Sequence, residues 1–228
     1  MGAEIFFKMT LLDGKPSGAI QCTKGNHGLL QIYKVPRSDL IRHRQLSALK
    51  QSGIYFLFGI NHLGEPSVYI GQASVRKNEE GLLLRVNEHH RKNDFAFVDA
   101  VMMTTALDSL GRTELSYLEL VFYLAAKKAK RFNLWNRVEP AGTNILKSDE
   151  IEMQGLIRDI KMALELLGYP LCRPKTMEAS TPSLSKLPPE ESEEVRLYYR
   201  QYNKREQRYL EAACVLKDGL FILKKESR

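Results

Sequence analysis

Cysteine is scarce in this 228-residue chain. There are three, Cys22, Cys172 and Cys214, far apart and without any Cys-x-x-Cys spacing. This excludes a disulfide scaffold and a cysteine-rich zinc module, and reduced thiols in a cytoplasmic setting are expected. Long hydrophobic runs are missing as well. The longest, Leu118 to Ala126, is interrupted by Glu119 and falls short of the about 20 apolar residues a bilayer span needs, so no membrane partner is expected. The opening Met1-Gly2-Ala3-Glu4-Ile5-Phe6 has no basic stretch before an apolar core, and Phe6 stands where a myristoylation signal has Ser or Thr. Neither sign of charge dominates: 34 Lys and Arg against 27 Asp and Glu leave +7, which permits a polyanionic partner without requiring one. Internal repeats are absent.

The chain does have a globular composition, 43% hydrophobic and 9% aromatic, which argues against a disordered chain. Residues 5–35 read as short strands, with Asp13-Gly14 as a tight turn. Pro36 stops the last strand, and Ser38 is placed to cap a helix running to about Lys50. Gly53 to Ile60 is a buried-strand run, Asn61 to Pro66 is turn chemistry, and Ser67 to Gly71 is a second strand, together a hairpin. A helix over Leu82–Lys92, a strand over Phe95–Thr105 and an amphipathic helix over Leu115–Phe132 follow. Another helix opens at Ser148 and is closed by Gly168 and Pro170. From Thr176 to Glu194 proline, serine and glutamate replace large apolar residues, the composition of a linker. Glu193 to Ala213 reads as a polar helix, followed by a strand at Gly219–Leu223. The expected organisation is an N-terminal β extension plus helix (1–50), a central domain (51–173), a linker (174–192) and a C-terminal helix-strand piece (193–228).

Chemistry concentrates in the central stretch. Gly53-Ile54-Tyr55 and Tyr69-Ile70-Gly71 lie on the two strands of the hairpin, which can bring both phenols to one face; two half-buried core tyrosines are the plainer alternative. Arg85 and His89 are four apart and share a helix face. An always-charged arginine suits the negative charge of a phosphoryl-transfer transition state, although a solvated helix arginine is the commoner case. At about 100° per residue from Leu115, Glu119 falls at roughly 40°, inside the stripe of Leu115, Leu118, Phe122 and Ala126. A carboxylate there must be paired, protonated or metal-bound. It is either a structural ion pair, for instance with Arg85, or the single carboxylate that a largely water-bound Mg²⁺ needs.

Taken in order, Gly53-Ile54-Tyr55, Tyr69-Ile70-Gly71, Arg85 with His89, Glu119 and Asn136 resemble the GIY-YIG nuclease superfamily over roughly residues 51–140. The stretch Tyr33 to Ser38 looks like the lead-in of larger bacterial and phage members with an N-terminal β extension, and the tail from Ala212 to Lys224 is similar to the start of a small module of unknown function that follows such domains. The resemblance implies a general-base or water-positioning role for Tyr55, with Tyr69 as its partner. It implies a phosphate-holding Arg85, a histidine of variable role at His89 (with His90 as the rival position), a metal-binding Glu119, and Asn136 near the phosphate, with Asn144 the weaker rival. Gly71 would let its strand and the next helix approach closely, and Gly53 belongs to the same motif. One Mg²⁺ or Mn²⁺ would stabilise the leaving oxygen.

The expected fold is α/β, a small, mostly antiparallel central sheet flanked by helices, with the N-terminal β extension. The expected function is metal-dependent hydrolysis of DNA phosphodiesters; the alternatives are a catalytically weak nucleic-acid-binding module and an RNA nuclease. Tyr55, Tyr69, Arg85 and Glu119 are expected to converge on one pocket from one side of the sheet. Backbone contacts are expected from Arg76, Lys77, Arg91, Lys92, Lys127, Lys128, Lys130 and Arg131.

Overall fold

The computed structural model describes residues 5–24, 30–75, 81–92, 95–175, 195–203, 208–217 and 220–223, with Lys92 and the last three segments taken as backbone. The chain divides into two compact units, 1–179 and 180–228.

In the first unit the described strands form one seven-stranded sheet in the order β1-β2-β3-β6-β4-β5-β7. They are β1 (Phe7–Leu11), β2 (Ile20–Lys24), β3 (Leu30–Pro36), β4 (Gly53–Ile60), β5 (Pro66–Ala73), β6 (Phe97–Thr105) and the two-residue β7 (Asn133–Leu134). Every pair is antiparallel except β5–β7. The N-terminal strands therefore continue the central sheet, because β3 pairs with β6 along its whole length. Three helices flank it: α1 (Leu82–Lys92), α2 (Arg112–Ala129) and α3 (Lys147–Leu166).

The two faces of β4 explain its unbroken apolar run. Ile54, Phe56 and Phe58 pack with α2 and α3, while Tyr55 and Leu57 pack with α1 and the turn before β4. A strand covered on both sides has no polar face to show. On the α2 side Phe56 meets Phe122 edge-on, with ring centroids 5.2 Å apart. The α3 end is tied down by Tyr169, which stacks on Phe58 at 3.8 Å and donates its hydroxyl hydrogen to the Asp99 carboxylate. No helix of the described residues is long and apolar enough to cross a membrane.

The structure corrects three local expectations. Residues 37–50 do not form one helix; two short 3₁₀ turns, Arg37–Asp39 and Ser47–Lys50, bracket an irregular stretch. Tertiary anchors override the helical pattern there: Leu40 and Leu49 are buried, and the His43 imidazole meets the Asp13 carboxylate at 3.1 Å. α2 starts and stops one turn earlier than expected; its end is fixed by Lys130, which takes a left-handed conformation and returns its N–H to the Ala126 carbonyl. In the second unit the expected polar helix is absent. β8 (Val195–Asn203), β9 (Arg208–Lys217) and β10 (Leu220–Leu223) form an antiparallel sheet in the order β10-β9-β8. The tyrosines at 198, 199, 202 and 209 and Val215 favour strands, and that propensity outweighs the charged residues between them. The expected linker falls largely on 176–194, outside the described residues.

Gly53 carries the closest backbone approach. A Cβ there would collide with the Met103 carbonyl oxygen of β6, which is backbone and cannot step aside. Gly53→Ala is expected to destabilise the protein by roughly 3 kcal/mol or more. Urea denaturation checks this; a loss under about 0.5 kcal/mol, within the range of ordinary surface changes, would refute the packing argument.

Candidate active site

The β4–β5 register sets Tyr55 opposite Gly71 and Leu57 opposite Tyr69, so the two tyrosines are diagonal neighbours on one face. Their rings stack with centroids 6.1 Å apart. Gly71 serves this arrangement directly, since a Cβ there would run into the Tyr55 ring and hydroxyl. Its expected role in strand–helix approach is corrected: Gly53, next to Leu82, and Gly81, next to the Gln51 carbonyl, are where backbone and α1 come close.

Leu82, Leu83 and Val86 bury one stripe of α1. That turns Arg85 and His89 toward the tyrosine pair. His89 Nε2 lies 2.9 Å from the Tyr55 hydroxyl, and its ring centroid is 4.6 Å from that of Tyr69. Arg85 donates to Glu88 Oε2 at 2.6 Å. The adjacent histidines are separated by the helix turn: His90 Nδ1 accepts from Arg37 Nε at 2.9 Å. Burial pushes the Tyr55 phenol far above its ordinary pKa; the neighbouring Tyr69 adds to this and Arg85 opposes it. Burial also raises Tyr69, again opposed by Arg85. Burial alone would lower Arg85, but its bond to Glu88 and the nearby Tyr55 phenol hold it above its ordinary value. Tyr55 is 1% exposed, whereas Tyr69, Arg85 and His89 are half-buried.

Glu119 comes from the other layer. α2 packs on the face opposite α1, with Leu115, Leu118 and Phe122 in the core. Gln72 of β5 points to that side, donating to Glu119 Oε2 at 2.9 Å and Ser116 Oγ at 3.1 Å. Approach from one side of the sheet is thus corrected. Among the described residues no hydrogen bond or ion pair joins the two groups; Arg85 acts on Glu119 through its charge, which opposes the burial that raises the Glu119 carboxyl, as does the Gln72 hydrogen bond. The ion-pair partner of Arg85 is Glu88, not Glu119. Glu119 Oε1 has no partner among the described residues and is not sealed from solvent. No group of three His, Cys, Asp or Glu side chains gathers among the described residues. The donor set for a metal is therefore one carboxylate, which fits a hard ion that keeps most of its waters.

The edge of β5 is closed only in part. β7 pairs with Ser67 and Val68, and Asn136 then takes over. Its carboxamide accepts from the Ile70 N–H at 3.0 Å and donates to the Ile70 carbonyl at 2.7 Å. Asn136 thus extends the strand ladder with its side chain. Asn144 is exposed in the loop before α3.

The expected basic contacts are scattered. Arg76 and Lys77 lie outside the described residues, as does the side chain of Lys92; Arg91 is exposed on α1. Lys127 pairs with Glu139 at 2.7 Å, and Lys128 and Lys130 are exposed. Arg131 donates to the Arg173 carbonyl at 3.1 Å. This end of α2 is eight or more residues beyond Glu119, about 12 Å or more along the helix.

Sequence reasoning missed Gln72 and Ser116. Strand alternation held a hint, since Gln72 follows Gly71 and falls on the face opposite Tyr69. Gln72→Leu is expected to raise the Glu119 pKa further, because it removes a donor to the carboxylate and leaves burial unopposed on that side. Carbon NMR titration of the Glu119 carboxyl checks this; a midpoint that stays or falls overturns the assignment of Gln72. No protein-family model, curated protein or solved structure matches the chain.

Proposed function

We propose that the protein is a GIY-YIG-type endonuclease that hydrolyses DNA phosphodiester bonds with one Mg²⁺ or Mn²⁺ ion. The observation that carries this reading is the charge and proton arrangement around Arg85. Arg85 shares its helix face with His89, which is hydrogen-bonded to Tyr55, and its charge acts on the part-buried Glu119 carboxylate. A phosphate placed against Arg85 would have its extra transition-state charge met by a fixed cation. A divalent ion held at Glu119 would supply charge stabilisation at the leaving oxygen.

The burial pattern supports proton-handling roles that differ from those the family resemblance alone implies. Tyr55 is almost sealed and strongly disfavoured as a phenolate. His89 and Tyr69 reach solvent beside it. In this proposal His89 takes the proton of the attacking water, Tyr69 orients that water, and Tyr55 holds the imidazole from beneath, as a positioning residue. Free thiols at Cys22 and Cys172 suit the reducing, cytoplasmic setting that belongs to the same proposal.

A supercoiled-plasmid nicking assay with Mg²⁺ or Mn²⁺, against EDTA, tests the reading, with single-stranded RNA in parallel. Metal-dependent nicking supports it. DNA binding without cleavage in either ion would replace it with a binding module, and cleavage of RNA alone would replace the substrate.

A further inference from the structure

A cavity of about 280 Å³ opens at the free end of β5. Its polar lining consists of Gln72, Ser74, Arg85 and Arg112, and the rest is glycine and small aliphatic side chains. Among the described residues no carboxylate lines it. Two guanidinium groups thus share a concave space, Arg85 already paired with Glu88 and Arg112 without a partner among the described residues, and such like charges repel unless an anion lies between them.

Arg112 shares with Arg44, Arg91 and Arg137 the lack of a side-chain partner among the described residues, but of these it alone lines the cavity. Arg42, Arg85, Arg158 and Arg173 each lie within 4.0 Å of a carboxylate oxygen. Arg112, exposed as the first residue of α2, has no hydrogen-bond or ion-pair partner among the described residues. The acid of its own turn, Glu114, lies against Gly111 and makes no ion pair with it.

We propose that Arg112 is a second backbone-phosphate anchor, binding the phosphate next to the one held by Arg85 on the same strand. This rests on the nuclease reading above. The ligand is a phosphodiester backbone, because the cavity offers charge and small polar donors but no aromatic surface for a base. Arg112 contacts no reacting atom in this role; it sets where the strand lies, so its loss weakens binding and leaves the chemical step intact.

The test uses the full chain and a short fluorescein-labelled DNA duplex, with binding followed by anisotropy in EDTA over a series of salt concentrations. Each phosphate contact contributes about 0.9 to the slope of log affinity against log salt. Arg112→Gln is expected to bind about 5- to 20-fold more weakly, with a slope shallower by about 0.9. Arg112→Lys should recover most of the slope, and Arg42→Gln, an equally exposed arginine elsewhere, should leave both quantities unchanged. In Mg²⁺, Arg112→Gln should raise KM and keep kcat. If the wild type binds and nicks DNA while Arg112→Gln matches it in affinity and slope, the anchor is refuted and the nuclease reading stands. Equal losses in Arg112→Gln and Arg42→Gln would also refute it, as a general charge effect. A wild type that neither binds nor nicks DNA overturns both.

Discussion

Glu119→Gln is expected to reduce metal-dependent nicking by about 10³-fold or more, equivalent to roughly 4 kcal/mol of transition-state stabilisation, while the protein stays folded. Gln keeps the shape and still offers an oxygen to the Gln72 donor that now meets Glu119 Oε2 at 2.9 Å, but it is a poor ligand for a hard cation. Stability is expected to move the other way. Burial raises the Glu119 pKa above its ordinary 4.5. The folded state then holds this proton more tightly than the unfolded chain, so the group's contribution is most favourable below pH 4.5 and is lost as pH rises through the raised value. At neutral pH the ionised side chain is a net cost that Gln removes. The thermal midpoint of Glu119→Gln at pH 7 should therefore equal or exceed that of wild type, with the difference vanishing in acid. Nicking within tenfold of wild type, about 1.4 kcal/mol, would refute the metal assignment. A lowered midpoint at neutral pH would make Glu119 a structural residue.

His89→Ala should cost about 10² to 10⁴ in kcat, the usual range for a general base, with DNA affinity in EDTA unchanged. Tyr55→Phe removes the hydroxyl 2.9 Å from His89 Nε2 and keeps the ring that fills the space over Gly71. It should therefore lower kcat by a smaller factor and leave KM alone. The double variant should be no slower than His89→Ala, because Tyr55 acts only through the imidazole and members of one unit are not additive. Multiplicative losses would mean that Tyr55 touches the reacting water itself, as the family resemblance implies.

Much of the site was legible in the chain because its parts obey local periods. The two-residue alternation of β4 and β5 puts Tyr55 and Tyr69 on one face, and the i, i+4 spacing puts Arg85 and His89 on one side of α1. The stripe of α2 marked Glu119 as a carboxylate in the wrong place for a solvated one. Where local preferences conflicted, the pattern misled. Leu40, His43 and Leu49 follow contacts made by a distant turn rather than a helix, and the tyrosine-rich C-terminal stretch pairs as strands.

The sequence by itself determined which strands and helices carry the chemical groups, since side-chain spacing alone settles what shares a face. Only the tertiary structure decided how those faces meet. That Glu119 comes from the layer opposite Tyr55 depends on α1 and α2 covering different sides of β4 and β5. That Arg85 reaches the cavity that Gln72 also lines depends on where the partner of β5 ends, with Asn136 clamping Ile70 and the strand edge beyond it left open. These are long-range facts, set by the packing of a core that no window of neighbouring residues contains. The same packing decides that Gln72 orients the carboxylate and that Arg112 and Arg85 line one space, although 26 residues lie between them in the chain.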